Sequence, residues 1–168
     1  MILPDHLAPG LDLVFCGTAP GRASARAGHY YANPGNRFWA LLHVTGLTPR
    51  QLAPQEDAAL PALGIGLTDL CKTRAGQDAD LAPADFDVAR LIATVAVLCP
   101  RALAFTSLTA ARVALGRVAA GRLPADPRLP GIALFALPSP SGLARSHFRI
   151  EPWEGLAAFL GRPRGVAA

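Results

Sequence analysis

Lysine is nearly absent from this chain: of sixteen basic residues only Lys72 is lysine, and the other fifteen are arginine. Cysteine is scarce too. Cys16, Cys71 and Cys99 are odd in number and far apart, which argues against a disulfide framework. Three thiolates also leave the chain one short of an all-cysteine iron–sulfur cluster. No CxxC or HExxH pairing occurs, so a structural zinc site is not expected. No apolar run approaches the ~20 residues that cross a bilayer. Met1 to His6 has neither a basic region nor an apolar one, so no secretory signal is expected. Charged residues make up only 17% of the chain and apolar ones 51%, which excludes a disordered polymer.

What remains is a globular chain of 168 residues. At roughly 100–200 residues per domain, the expectation is one soluble, cytoplasmic domain spanning 1–168. A domain of about 150 residues buries about two-thirds of its unfolded surface and needs no staple. The net charge is +4. Arginine grips phosphate in a bidentate way, and a basic surface attracts polyanions. A GC-rich coding sequence accounts for the arginine and alanine equally well, so charge alone points only weakly to nucleic acid.

Short apolar runs alternate with amphipathic stretches. Leu11–Cys16, Ile65–Leu67, Ala102–Phe105 and Ile132–Leu137 read as strands. Asn36–Gly46, Pro83–Leu98, Leu108–Ala119 and Glu151–Leu160 read as helices, with short Pro-interrupted helices in Thr48–Leu63. Strands separated by helices imply βαβ units. The expected fold is a three-layer α/β/α sandwich around a mainly parallel, four-stranded sheet. In such sheets ligands bind beyond the carboxyl ends of the strands. Three segments lie there: Gly17–Gly21, Thr68–Asp69 and Pro138–Arg145.

Gly17-Thr18-Ala19-Pro20-Gly21 can turn sharply and approach a ligand closely, but it is not a G-x-G-x-x-G dinucleotide fingerprint. His29 to Trp39 interleaves Tyr30, Tyr31, Phe38 and Trp39 with Asn33, Asn36 and Arg37. Rings stack on bases, amides read base edges and arginine reaches phosphate. Phe38 and Trp39 suit a core, and Asn36 suits a helix N-cap. Pro138 to Arg145 offers hydroxyls for phosphate and, in Leu143, an apolar side chain able to wedge between bases.

Taken together, the three segments resemble the uracil-DNA glycosylase superfamily, over about Leu11 to Gly161. Its mismatch-specific uracil/thymine branch is the most similar. The branch's G-I-N-P-G is matched by Gly17-Thr18-Ala19-Pro20-Gly21, and its A-x-P-x-N-R-F-W by Ala32 to Trp39. Its N-P-S-G-L-S-R is matched by Ser139 to Arg145, and its T-x-L by Thr68-Asp69-Leu70. Two departures stand out. Ala19 occupies the place of the Asn that positions the attacking water, and Ser139 that of an Asn that reads the base. Hypoxanthine-DNA glycosylases of the same superfamily also lack a polar first motif, and are similar around Tyr30-Tyr31-Ala32 and Asn36-Arg37-Phe38-Trp39. In that group the equivalent of Asn36 is the catalytic candidate.

The resemblance implies hydrolysis of the N-glycosidic bond of a flipped, deaminated base in DNA, uracil first, leaving an abasic site for base excision repair. It implies Asn36 and Asp69 as catalytic groups, and Gly17, Thr18, Ala19, Tyr31, Asn33 and Ser139 around the base, with Tyr31 stacking on it. Ser141, Gly142, Leu143, Arg145 and His147 would hold the DNA, with His29 at most a phosphate contact. Asp69 equally suits a helix N-cap. No lysine lies in these motifs, so no Schiff-base lyase step is expected and the enzyme is read as monofunctional; it is further expected to act as a monomer without metal or other cofactor. Hypoxanthine or xanthine as the base, and a non-catalytic binder of damaged DNA, stay open as alternatives.

Overall fold

The computed structural model describes residues 1–116 and 119–162. Its strands are β1 (Leu13–Gly17), β2 (Ile65–Asp69), β3 (Ala102–Phe105), β4 (Gly121–Leu123) and β5 (Ala133–Ala136). They form one sheet in the order β2-β1-β3-β5-β4. β1, β2, β3 and β5 are parallel, and β4 pairs antiparallel with β5 at the edge. The helices are α1 (Arg22–Ala27), α2 (Phe38–Val44), α3 (Val88–Leu98), α4 (Leu108–Leu115) and α5 (Glu151–Phe159).

Alternation along the strands explains the layers. Leu13 and Phe15 of β1, Leu67 of β2, Ala104 of β3 and Phe135 of β5 face one side, where Phe38, Trp39 and Leu42 of α2 meet Trp153 and Leu156 of α5. Val14, Cys16, Leu103, Phe105 and Leu134 face the other, against Leu91 and Val95 of α3 and Ala110, Ala111 and Leu115 of α4. All five positions of β1 and of β2 are buried, as expected of parallel strands covered on both faces.

The expected architecture holds, with five strands instead of four. β4 escaped the sequence reading because it is three residues long and only Leu123 of it is buried. α4 ends at Leu115, where Gly116 takes the left-handed conformation (φ 75°), so the expected helix to Ala119 is too long. Part of that expected tail, at 117 and 118, lies outside the described residues. The Pro83–Leu98 helix divides into a 3₁₀ turn, Pro83–Asp85, and α3 proper, capped by Asp87, which accepts from the Arg90 N–H at 3.0 Å. Pro54–Leu63 is 3₁₀ helix. α1 was missed, since Arg22–Ala27 has no apolar stripe.

No helix among the described residues is long and apolar enough to cross a membrane. Cys16 and Cys71 are buried thiols and Cys99 is exposed.

Candidate active site

Four parallel strands end on the same side, and the loops beyond them enclose a cleft of about 980 Å³. Gly17 to Gly21 follows β1, Asp69 closes β2, Thr106 follows β3 and Pro138 to Ala144 follows β5. Tyr31, Asn33 and Asn36 form a further wall. Of the residues singled out from sequence, Gly17, Thr18, Ala19, Tyr31, Asn33, Asn36, Asp69, Ser139, Ser141, Gly142, Leu143 and His147 all line this cleft. Arg145 does not; it is exposed on the 3₁₀ turn Gly142–His147. His29 is also elsewhere, its Nδ1 3.2 Å from buried Asp57 Oδ1, which removes it as a phosphate contact.

Asp69 sits on the floor. It is buried, and its Oδ2 has no hydrogen-bond partner among the described residues. No helix begins there: the cap of α3 is Asp87, so the N-cap reading of Asp69 falls away. Burial raises the carboxyl to about 7. Lys72 opposes that rise and Asp5 adds to it, while Arg90 and the Gly17 N–H pull downward. A buried, unpartnered carboxyl facing a cleft is where evolution retains a costly group for its chemistry.

Gly17 explains how the floor fits together. A Cβ on Gly17 would lie 2.7 Å from Asp69 Oδ1, 3.2 Å from the Tyr31 hydroxyl and 3.3 Å from Thr106 Oγ1. Three oxygens therefore converge over this one glycine, and the Tyr31 and Thr106 hydroxyls hydrogen-bond each other at 2.9 Å. Gly17→Ala is expected to cost about 1–3 kcal/mol through overpacking and to abolish turnover, as a thermal melt and a single-turnover assay would show together.

Tyr31 is not free to stack on a base with both faces. One face packs on Phe38, ring centroids 4.0 Å apart and planes at 20°. Its backbone is left-handed (φ 51°), a conformation that non-glycine residues adopt at a cost and keep where a site demands it. Burial, with Asp69 next, holds the phenol well above its usual range, so it stays neutral.

Asn36 lines the cleft one residue before Arg37, which is the N-cap of α2, so the N-cap expectation for Asn36 is not met. Its Oδ1 accepts the Phe38 N–H at 2.9 Å. That bond fixes which end of the amide is which, because only the oxygen can accept. The Nδ2 donors are left without a partner among the described residues, on a residue that lines the cleft. Asn33 closes an Asx turn on the Gly35 N–H at 2.8 Å.

The glycine loop is held by its carbonyls. Gly17, Thr18 and Pro20 accept from the N–H groups of Leu70, Cys71 and Gly76 at 2.8–2.9 Å. The N–H groups of Thr18 and Ala19 have no partner among the described residues. They are donors available to an anion. The Thr18 hydroxyl donates to Asp78 at 2.7 Å, which ties the loop to the 76–80 turn on the cleft wall.

The last loop is anchored at both ends. Trp153 Nε1 donates to the Pro138 carbonyl at 3.0 Å and the Arg37 N–H to the Pro140 carbonyl at 2.9 Å. Gly142 packs where a Cβ would stand 3.2 Å from the Gly35 carbonyl, so the two motif loops touch. The hydroxyl oxygens of Ser139 and Ser141 accept loop N–H groups, leaving each O–H free to donate. Leu143 is 76% exposed at the cleft mouth. Leu143→Ala should therefore leave stability within about 0.5 kcal/mol of the parent in a thermal melt.

Comparison with known proteins now decides the family. Residues 4–159 match the uracil DNA glycosylase superfamily. The chain belongs to that superfamily. A solution NMR structure from Methanosarcina acetivorans, of a protein proposed to be a uracil DNA glycosylase, has the same fold: TM-score 0.69 at 24% identity, covering 95% of this chain and 96% of that one. Superfamily membership makes DNA the substrate class and base excision the chemistry. Thr106 is the floor residue that sequence reading missed. It directly follows β3, so the strand-end rule that selected Asp69 would have selected it as well.

Proposed function

We propose that this protein is a monofunctional DNA glycosylase that hydrolyses the N-glycosidic bond of a flipped, deaminated base, uracil first. The observation that carries this reading is the buried Asp69 carboxyl at the cleft floor, whose Oδ2 has no hydrogen-bond partner among the described residues. In its ionised form it takes a proton from the attacking water and faces the positive charge that grows on the sugar. The water oxygen bonds to C1′, the C1′–N bond breaks, and its electron pair leaves with the base. The Thr18 and Ala19 N–H groups and Asn36 Nδ2 supply donors for the anionic base. They do so without a polar side chain at Ala19. Ser139 lies beside the base. The Ser141 hydroxyl, Arg145 and His147 hold backbone phosphates, and Leu143 occupies the gap left by the flipped nucleotide.

Lys72 lies outside the cleft, its ammonium held by Asp5 at 2.7 Å and by the Tyr30 hydroxyl at 3.1 Å. No Schiff-base step is therefore proposed, and the product is an abasic site. A second reading, hypoxanthine or xanthine as the base, is favoured by two observations: a cleft of about 980 Å³ and the likeness around Tyr30-Tyr31-Ala32 to the hypoxanthine group. These purines share with uracil the adjacent N–H and C=O of a lactam. The catalytic parts proposed above are the same for either base, within one domain acting as a monomer.

The test uses end-labelled oligonucleotides bearing uracil opposite G, opposite A and in single strand, with hypoxanthine and xanthine alongside. Alkali then reveals abasic sites. Cleavage of uracil strands is the expected result, and cleavage of purine strands alone selects the second reading. Retained binding with no cleavage in any lane makes the protein a lesion binder and overturns both.

A further inference from the structure

Behind the cleft floor, outside the base site, lies a cluster of charges contributed by distant parts of the chain. The first residues run antiparallel along β2, which is the edge strand of the sheet. Ile2 N–H donates to the Lys72 carbonyl at 2.7 Å, and His6 exchanges backbone hydrogen bonds with Leu67 at 3.0 and 2.9 Å. This pairing covers the strand edge and delivers Asp5 beneath the end of β2.

Every oxygen of Asp5 is engaged there. Oδ1 accepts from Thr68 Oγ1 and from Lys72 Nζ, both at 2.7 Å, and Oδ2 meets Arg90 Nη1 at 3.2 Å. Arg90 reaches on to the Asp69 backbone carbonyl through Nη2. Lys72 also donates to the Tyr30 hydroxyl. The side chains are largely withdrawn from water, Lys72 11%, Asp5 25% and Arg90 26% exposed. Interactions among them are therefore screened much less than at an open surface. None of the three lines the cleft, so none touches substrate.

We propose that Asp5 is a positioning residue for base excision: it holds Lys72 and Arg90 behind Asp69 and cancels part of their charge, and so sets the pH at which the Asp69 carboxyl ionises. This rests on the reading of Asp69 as a group that works as its carboxylate. The groups facing Asp69 make the direction definite. From the N-terminal segment comes the negative Asp5; from the turn after β2 comes the positive Lys72, and from α3 the positive Arg90. β1 contributes the Cys16 thiol, and the loop after α1 the Tyr30 and Tyr31 phenols, all kept neutral by burial. β3 contributes Thr106, which does not titrate. Beyond Tyr30, Asp57 is occupied by the Tyr30 N–H and by His6 and His29.

With two positive charges and one negative behind it, an ionised Asp69 completes a neutral set. Removing Asp5 leaves two uncancelled cations and favours the carboxylate. Removing Lys72 leaves a balanced pair and disfavours it. The two changes should move Asp69 in opposite directions, a pattern that loss of packing would not produce.

The experiment has two arms on the full chain. In one, kcat/KM for excision is measured against pH. In the other, the Asp69 carboxyl is titrated by ¹³C NMR, its resonance assigned by its disappearance in Asp69→Asn. Asp5→Asn keeps an oxygen for Thr68, and Lys72→Met keeps the apolar stem. Asp5→Asn is expected to lower both midpoints, and Lys72→Met to raise them, each by about one pH unit. Midpoints that stay at the parent value, or that move the same way in both variants, overturn the proposal. If one variant fails to fold, the sign of the other still decides. The NMR arm reads Asp69 whether or not any base is released. A carboxyl titration that shifts while the rate profile does not would support the Asp5 coupling and reject the catalytic role of Asp69.

Discussion

Asp69→Asn is expected to give a protein that is more stable at pH 8 than the parent and that releases base about 10²–10⁴ times more slowly, the range lost with a general base. The stability half follows from proton linkage. The folded carboxyl titrates at about 7 against 3.8 for the free group, chiefly because burial disfavours its charge. The folded state therefore binds this proton more tightly than the unfolded chain does. Asp69 lowers stability progressively as pH rises from about 4 to about 7. A separation of roughly three pH units sets an upper figure of about 4 kcal/mol at pH 8. The Asn amide, left with unpaired donors in the same place, takes back about 1–3 kcal/mol of this. The Asn variant should melt below the parent at pH 4, where only the amide penalty counts, and the order should reverse as pH rises and the parent's carboxyl ionises. A less stable Asn variant at pH 8 would contradict the picture of a carboxyl kept at a cost for its function. Retained turnover would contradict its role in the reaction.

The second large effect concerns Asn36, whose two ends do different things. Asn36→Ala removes the acceptor for the Phe38 N–H, at about 0.5–1.5 kcal/mol for a lost hydrogen bond. It also removes the Nδ2 donors, at about 10²–10³ in rate for one lost donor of this kind. Asn36→Asp separates the two roles. The carboxylate still accepts from Phe38, and negative charge at the start of α2 is favourable, so stability should equal or exceed the parent's. The donors are gone and a negative charge faces the anionic base, so the rate should fall at least as far as in Asn36→Ala. Melting curves and single-turnover rates on the same three proteins settle it. An Asp variant with near-parental turnover would reduce Asn36 to the acceptor of one turn hydrogen bond.

Much of this was legible in the sequence, for identifiable reasons. β1, β3 and β5 could be read because each is a short, wholly buried and almost wholly apolar run, and β2 because it starts as one, though its last two residues, Thr68 and Asp69, are polar and fell outside the expected strand. β4 could not, since a strand with one buried side chain leaves no pattern. α1 could not either, because Arg22–Ala27 carries no apolar periodicity. Asp69 was reachable from the rule that sites form beyond strand ends, but its proton affinity was not. That depends first on burial, and then on Lys72, Asp5 and Arg90, which the fold gathers from the β2 turn, the N-terminal segment and α3. The engagement of His29 was hidden for the same reason, because its partner Asp57 lies far along the chain. The N-cap expectation for Asn36 misses by one residue: Arg37 caps α2, and Asn36 before it closes a turn on the Phe38 N–H, a bond the helix pattern alone does not reveal.

The central claim is that this cleft lets water, and no protein nucleophile, displace a deaminated base. The most direct measurement is a single-turnover reaction on a uracil-containing duplex in H₂¹⁸O, with mass spectrometry of both products. Free, unlabelled uracil and an intact strand whose abasic deoxyribose carries one ¹⁸O are expected. A strand that keeps its base while remaining bound to the protein, or a product covalently attached to the protein, would contradict that claim.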